Sequence, residues 1–252
     1  MSNSSLVSYT KISPNRTSPR NHAIDTISIH CAVGQFTAKQ LLNLSHFTKY
    51  DSKKGSSCNY AVGCDGSIGM GVEEKDRSWC TSSRSNDHRA ITIEVASETE
   101  HPYEVTDKAY KALINLLVDI CKRNNIKELK WKADKSLIGQ VDKQNMTVHR
   151  WFANKSCPGE YLYSRHGQIA KEVNTLLAGK KPVYFKPYTV RIAINNLNIR
   201  KGPGTNYATT GKFTGKGVFT IIEESDGKGS TKGWGKLKSN AGWVSLDFAT
   251  KL

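Results

Sequence analysis

The sequence predicts an α/β domain with a mixed β-sheet flanked by helices, followed by a small all-β barrel. Three observations carry this. Short β-branched runs alternate with two long amphipathic helices as far as residue 178. The helical period then stops. Beyond it come short alternating strands separated by glycine turns. At 252 residues the chain is long enough for both parts to bury a core.

Residues 24–33, IDTISIHCAV, form a β-branched run suited to a buried strand. From Thr37 to about Leu44 the spacing turns helical, with Thr37 as cap and Phe36, Leu41 and Leu42 facing inward. Segments 59–63 and 67–72 read as a hairpin about the turn pair Asp65-Gly66. ITIEVAS, residues 91–97, is a further strand, apolar except for Glu94. The clearest helix runs from Thr106 to about Arg123. In it Tyr110, Leu113, Ile114, Leu117, Val118 and Cys121 recur at three- and four-residue steps. Thr106 suits its N-cap, and Asn124-Asn125 ends it. The last helix starts near Pro158, whose missing N–H costs nothing there, and ends near Leu177.

At Ala178 the pattern changes. The sequence predicts a domain over 1–178, a basic proline-containing linker over 179–188 and the β domain over 189–252.

The formal net charge is +15, and residues 179–252 hold 13 basic against 4 acidic residues, or +9 of it. Such a surface favours a polyanionic partner. No Lys/Arg block is dense enough for a nucleic-acid arm, so nucleic acid is not expected. No apolar run approaches the roughly 18 to 20 residues of a membrane span, so insertion is not expected either. The N-terminal residues lack the apolar stretch of a signal peptide, which predicts a protein made in the cytoplasm. The six cysteines are therefore expected to be mostly reduced, with Cys121 a buried small hydrophobe on a helix face.

Three features carry chemistry. His30 closes the strand ISIH, His149 lies in MTVHRWF, and Cys157 follows in NKSCPGE. Two imidazoles and a thiolate match the three-ligand pattern of catalytic zinc. The H-x7-C spacing exceeds one helical turn, so a loop over 154–158 must return Cys157 to His149. Spacing alone more often means two unrelated histidines and a buried thiol. Glu94 is the second feature. A carboxylate inside an apolar strand either turns to solvent or serves as a general base. Lys155 is the third, a surface lysine or, beside a metal, an oxyanion stabiliser. His22, His46, His88, His101 and His166 lack matched partners and read as surface or structural.

The segments ISIHCAVG, CNYAVGCDGSIG, RSWCTSSRSNDHRAITIEVAS and MTVHRWFANKSCPGE resemble the type-2 N-acetylmuramoyl-L-alanine amidases, whose fold peptidoglycan-recognition proteins share. The resemblance covers roughly residues 22–178. It implies zinc held by His30, His149 and Cys157, with Glu94 and Lys155 as catalytic residues. It also implies hydrolysis of the amide between N-acetylmuramic acid and L-alanine. Asn59, Tyr60 and Trp79 are the substrate-binding candidates, although Trp79 suits the core equally. Family members often carry a tyrosine seven residues before the Asp of the turn and a histidine after the Trp. Here Cys58 and Cys80 stand at those positions, with Tyr60 expected on the strand face of Cys58.

The stretch YTVRIAINNLNIRKGPGTNY, with two later Gly-Trp pairs, resembles bacterial SH3-like wall-binding domains. Tyr207, Trp234 and Trp243 suit either ligand binding or core. The combination implies a phage or prophage endolysin, released from the cytoplasm to act on Gram-positive peptidoglycan and its anionic wall polymers. Rival readings are a non-catalytic peptidoglycan-recognition protein and a zinc endopeptidase of the stem peptide. The complete ligand trio speaks against the former.

Overall fold

The computed structural model describes residues 2–180 and 187–252. Most of the linker expected over 179–188 lies outside the described residues. The chain divides into two compact units, Met1–Pro182 and Val183–Leu252.

In the first unit the strands are β1 (Tyr9–Thr10), β2 (Arg16–Thr17), β3 (Thr26–Cys31), β4 (Tyr60–Val62), β5 (Ile68–Met70), β6 (Arg77–Ser78), β7 (Ala90–Val95) and β8 (Met146–Thr147). The helices are α1 (Ala38–Leu42), α2 (Ser45–Thr48), α3 (Arg84–Arg89), α4 (Asp107–Arg123) and α5 (Gly159–Leu177). Six strands build one sheet in the order β1-β5-β4-β7-β3-β8. It is mixed: β4, β7, β3 and β8 run parallel to one another, and β5 returns antiparallel to β4. The central strands are covered on both faces, which is why they read as almost unbroken apolar runs.

Period-2 alternation sorts the side chains to the two faces. Ile27, Ile29, Ile91 and Ile93 meet Leu113 and Leu117 of α4 and Leu162, Ile169 and Val173 of α5. Ala61 packs instead with Ala38, Leu41 and Leu42 of α1, Phe47 of α2, Cys58 and Cys80. The local signals act as the sequence predicts. Thr37 and Gln40 form a reciprocal capping box on α1. Thr106 accepts the Ala109 N–H at the start of α4, and Cys121 lies fully buried on that helix. Gly66 takes φ +85° in the β4–β5 turn, where a side chain would strain the backbone.

The N-terminal segment is fastened by Arg20. Its buried guanidinium donates to the carbonyls of Glu74, Asp76, Asp87, His88 and Ala90. Among the described residues no helix is long and apolar enough to cross a membrane.

The second unit has β9 (Tyr188–Ile192), β10 (Asn198–Arg200), β11 (Thr209–Phe213), β12 (Gly217–Ser225), β13 (Trp234–Leu237), β14 (Trp243–Ser245) and β15 (Ala249–Lys251). They form one sheet in the order β11-β10-β14-β13-β12-β9-β15, antiparallel at every pairing. Val190, Ile192, Ile199, Ile221, Leu237 and Val244 share one core, so the sheet curls around its own inner face. Trp234 and Trp243 are buried, while Tyr207 is exposed.

Candidate metal centre

His30 sits at the C-terminal end of β3 and is fully buried. His149 starts a one-turn 3-10 helix, His149–Trp151. The following loop folds back so that the Arg150 N–H donates to the Cys157 carbonyl at 3.1 Å. This brings Cys157 beside His149, just ahead of the N-terminus of α5, where the helix dipole favours a thiolate. The donor atoms of His30, His149 and Cys157 all lie within 4.8 Å of one another.

The tautomer of His30 follows from its neighbours. The Ser28 hydroxyl donates to the Thr147 carbonyl at 3.3 Å, so its oxygen accepts from the His30 Nε2–H at 3.2 Å. Nδ1 keeps its lone pair, 3.4 Å from Cys157 Sγ. Burial, reinforced by His149 and His166, pushes the His30 pKa down to about 3. The ring is neutral, as a metal ligand must be. Burial and then the Lys155 charge lower that of His149 as well.

Glu94 is placed by register. β3 and β7 pair in parallel with His30 opposite Glu94, so both side chains leave the same face of the sheet. Its opposite neighbour on β4 is the small Ala61, which leaves room. Oε1 lies 3.8 Å from His30 Nδ1 and accepts from the Cys80 thiol at 3.8 Å. Oε2 is buried without a hydrogen-bond partner. Burial pushes the Glu94 carboxyl up to about 8, with the Cys31 thiol adding to the rise. Because the His30 ring is neutral, its contact with Glu94 is no ion pair. The burial of Glu94 inside the site departs from the solvent-facing alternative.

Four thiols crowd this centre. Cys31 hydrogen-bonds Cys157, which together with burial raises the Cys157 pKa. Burial and the nearby Glu94 raise those of Cys58 and Cys80. His30, Cys80 and Glu94 also lie within 4.8 Å of one another. That second group shares His30, which has one free nitrogen, so a metal occupies one group or the other. Two neutral imidazoles, a thiol and a carboxylate oxygen lacking any partner suit zinc in the first group.

Two substrate-binding expectations need correction. Tyr60 is fully buried on the opposite face, level with Ile93, and its hydroxyl donates to Glu74 Oε1 at 2.6 Å. The chain leaves strand geometry before β4, so Cys58 and Tyr60 do not share a face. Asn59 is also fully buried. Its side chain joins the strands, accepting from the Thr92 N–H and donating to the carbonyls of Val72 and Glu73. Trp79 stays partly exposed, with its indole N–H donating to Thr17. Lys155 is exposed, close enough to His149 to act on it. His22, His46 and His101 lie at the surface, and His88 and His166 are buried. Cys31, which directly follows His30 in sequence, is expected to pack near the site, whereas Ser28 and Ser82 are not singled out by sequence reasoning. Of the two serines only Ser28 carried a signal, two residues before His30 on the same strand face.

The model of the N-acetylmuramoyl-L-alanine amidase family matches residues 20–160. No curated protein matches the chain. Among solved structures, the endolysin N-acetylmuramoyl-L-alanine amidase LysCS from Clostridium intestinale is 17% identical, with a TM-score of 0.47 over 67% of this chain and 97% of that one. PlyL is 16% identical, with a TM-score of 0.46 over 66% and 95%. Drosophila peptidoglycan recognition protein SD is 17% identical, with a TM-score of 0.46 over 63% and 88%.

Proposed function

The chain belongs to the N-acetylmuramoyl-L-alanine amidase family, and from that premise we propose that it is a zinc-dependent amidase cutting the bond between N-acetylmuramic acid and L-alanine in peptidoglycan. The observation that carries the zinc dependence is the convergence of His30, His149 and Cys157 beside the orphaned oxygen of Glu94.

His30, His149 and Cys157 would hold the metal. When bound, zinc supplies Lewis acidity toward water and the scissile carbonyl. Glu94 takes the proton of the attacking water and returns it to the leaving amine. A carboxyl pushed up to about 8 can hold or release a proton near neutral pH, as a general acid-base group must. Lys155 supplies positive charge where the carbonyl oxygen turns negative. Cys80 occupies the family histidine position as a thiol donor to Glu94, so it steadies that carboxyl without carrying charge.

The second unit is read as an SH3-like anchor on the wall. Its surplus of basic residues and the exposed Tyr207 support contact with anionic wall polymers. Holding the catalytic unit on an insoluble substrate raises its effective concentration there. A phage or prophage endolysin, released to act on a Gram-positive wall, fits this pairing. Two experiments test the proposal. Chelation should abolish wall lysis and added zinc restore it; lysis that survives chelation refutes the zinc reading. Deleting residues 183–252 should weaken wall binding more than cleavage of a soluble muropeptide.

A further inference from the structure

Ser82 has a left-handed backbone, φ +62°, in the turn ahead of α3. A non-glycine residue rarely stays there unless its surroundings hold it. They do so here from both sides. Buried Asp87 accepts from the N–H groups of Cys80 and Thr81 at 3.0 and 3.1 Å and from the Thr81 hydroxyl at 2.6 Å. Asn86 donates its side-chain amide to the Thr81 hydroxyl and its N–H to the Ser83 hydroxyl, each at 3.3 Å. The pinned turn carries the Ser82 hydroxyl to the rim of the metal centre. There its oxygen lies 3.0 Å from His149 Nε2. Among the described residues this hydroxyl has no other hydrogen bond.

The same arrangement recurs at the first histidine, where the Ser28 oxygen accepts the Nε2 proton and leaves Nδ1 free toward Cys157. The two serines come from unrelated segments, a sheet strand and a turn, yet each meets the Nε2 of one histidine. We propose that Ser82 is a positioning residue for His149: its hydroxyl accepts the Nε2 proton and so reserves the Nδ1 lone pair for the metal. A histidine ligand whose second nitrogen is held in this way keeps one tautomer and one ring orientation. The backbone at Ser82 would be relaxed by glycine, but glycine has no hydroxyl to offer. The proposal rests on the zinc reading above.

The test uses the full chain with Ser82→Gly and Ser82→Ala. In metal-free protein, imidazole 15N shifts should show His149 as the Nε2–H tautomer in the wild type and as a tautomer mixture in both variants. Zinc affinity, measured by competition with a chromophoric chelator, should fall about 10- to 100-fold in both. The melting temperature of metal-free Ser82→Gly should equal or exceed the wild-type value, which separates lost positioning from lost folding. Unchanged tautomer populations in both variants overturn the proposal, whatever happens to affinity. So does wild-type zinc affinity in both. If the wild type itself takes up no zinc, the zinc reading fails, and the tautomer comparison still decides the role of Ser82.

Discussion

Cys157 Sγ lies 3.4 Å from His30 Nδ1 across 127 positions of sequence. The two ends of the domain meet there, a strand terminus and the loop before the last helix. If this contact marks a zinc site, Cys157→Ala should lose tight zinc binding and wall lysis together while the fold persists, since the side chain is only partly buried. Metal analysis of the purified variant beside its circular dichroism checks this. Full zinc occupancy in the variant would contradict it.

Glu94→Gln keeps the side-chain shape and removes the proton-transfer group. Zinc content and wall binding should stay at wild-type levels, with turnover down by about 10²- to 10⁴-fold. Turnover on a soluble muropeptide reads this directly. A variant that turns over normally would remove Glu94 from the mechanism.

Tyr60 gives the opposite expectation. It lies on the far face of the sheet, bonded to Glu74, which also pairs with Arg123 at 2.6 Å. Tyr60→Phe should cost about 1–3 kcal/mol of stability by leaving buried groups unpaired. Its turnover and KM on the muropeptide should match the wild type. A raised KM with unchanged stability would return Tyr60 to the substrate site.

His166 sets a pH dependence. It is fully buried, with Nδ1–H donating to the Leu162 carbonyl at 2.7 Å and its ring 4.5 Å from that of Trp131. Burial pushes its pKa down from 6.5 to about 4. Between those values the unfolded chain takes a proton that the folded chain refuses. Stability is therefore lost as pH falls through that window and is unaffected above it. The difference corresponds to roughly 3 kcal/mol. Denaturant titrations at pH 7 and pH 4 should show His166→Phe losing less stability than the wild type by about this amount. Parallel losses would contradict it.

Much of the fold was legible because it rests on local rules. The α4 face, its Thr106 cap and the Asp65-Gly66 turn each follow from periodicity or backbone chemistry within a few residues. His30, His149 and Cys157 were legible as candidate residue types at strand and helix ends, and the resemblance joined them; their donor atoms do lie together. What escaped depends on long-range placement. Alternation carried from Cys58 to Tyr60 fails because the chain is irregular before β4, so two residues of like parity enter different cores. Asn59, a substrate-binding candidate by sequence, is consumed in bonding strands together. Nothing within the sequence around Ser82 points to a histidine 67 positions later. Nor does any local pattern reveal that Arg20 gathers five carbonyls.

The most direct measurement is mass spectrometry of purified peptidoglycan after digestion by the zinc-loaded full chain. Cleavage as proposed releases stem peptides with a free L-alanine amino terminus and leaves glycan strands with intact lactyl groups. The same digest run after chelation should yield neither. Stem fragments cut between amino acids, or wall bound but left uncut, would contradict the amidase assignment.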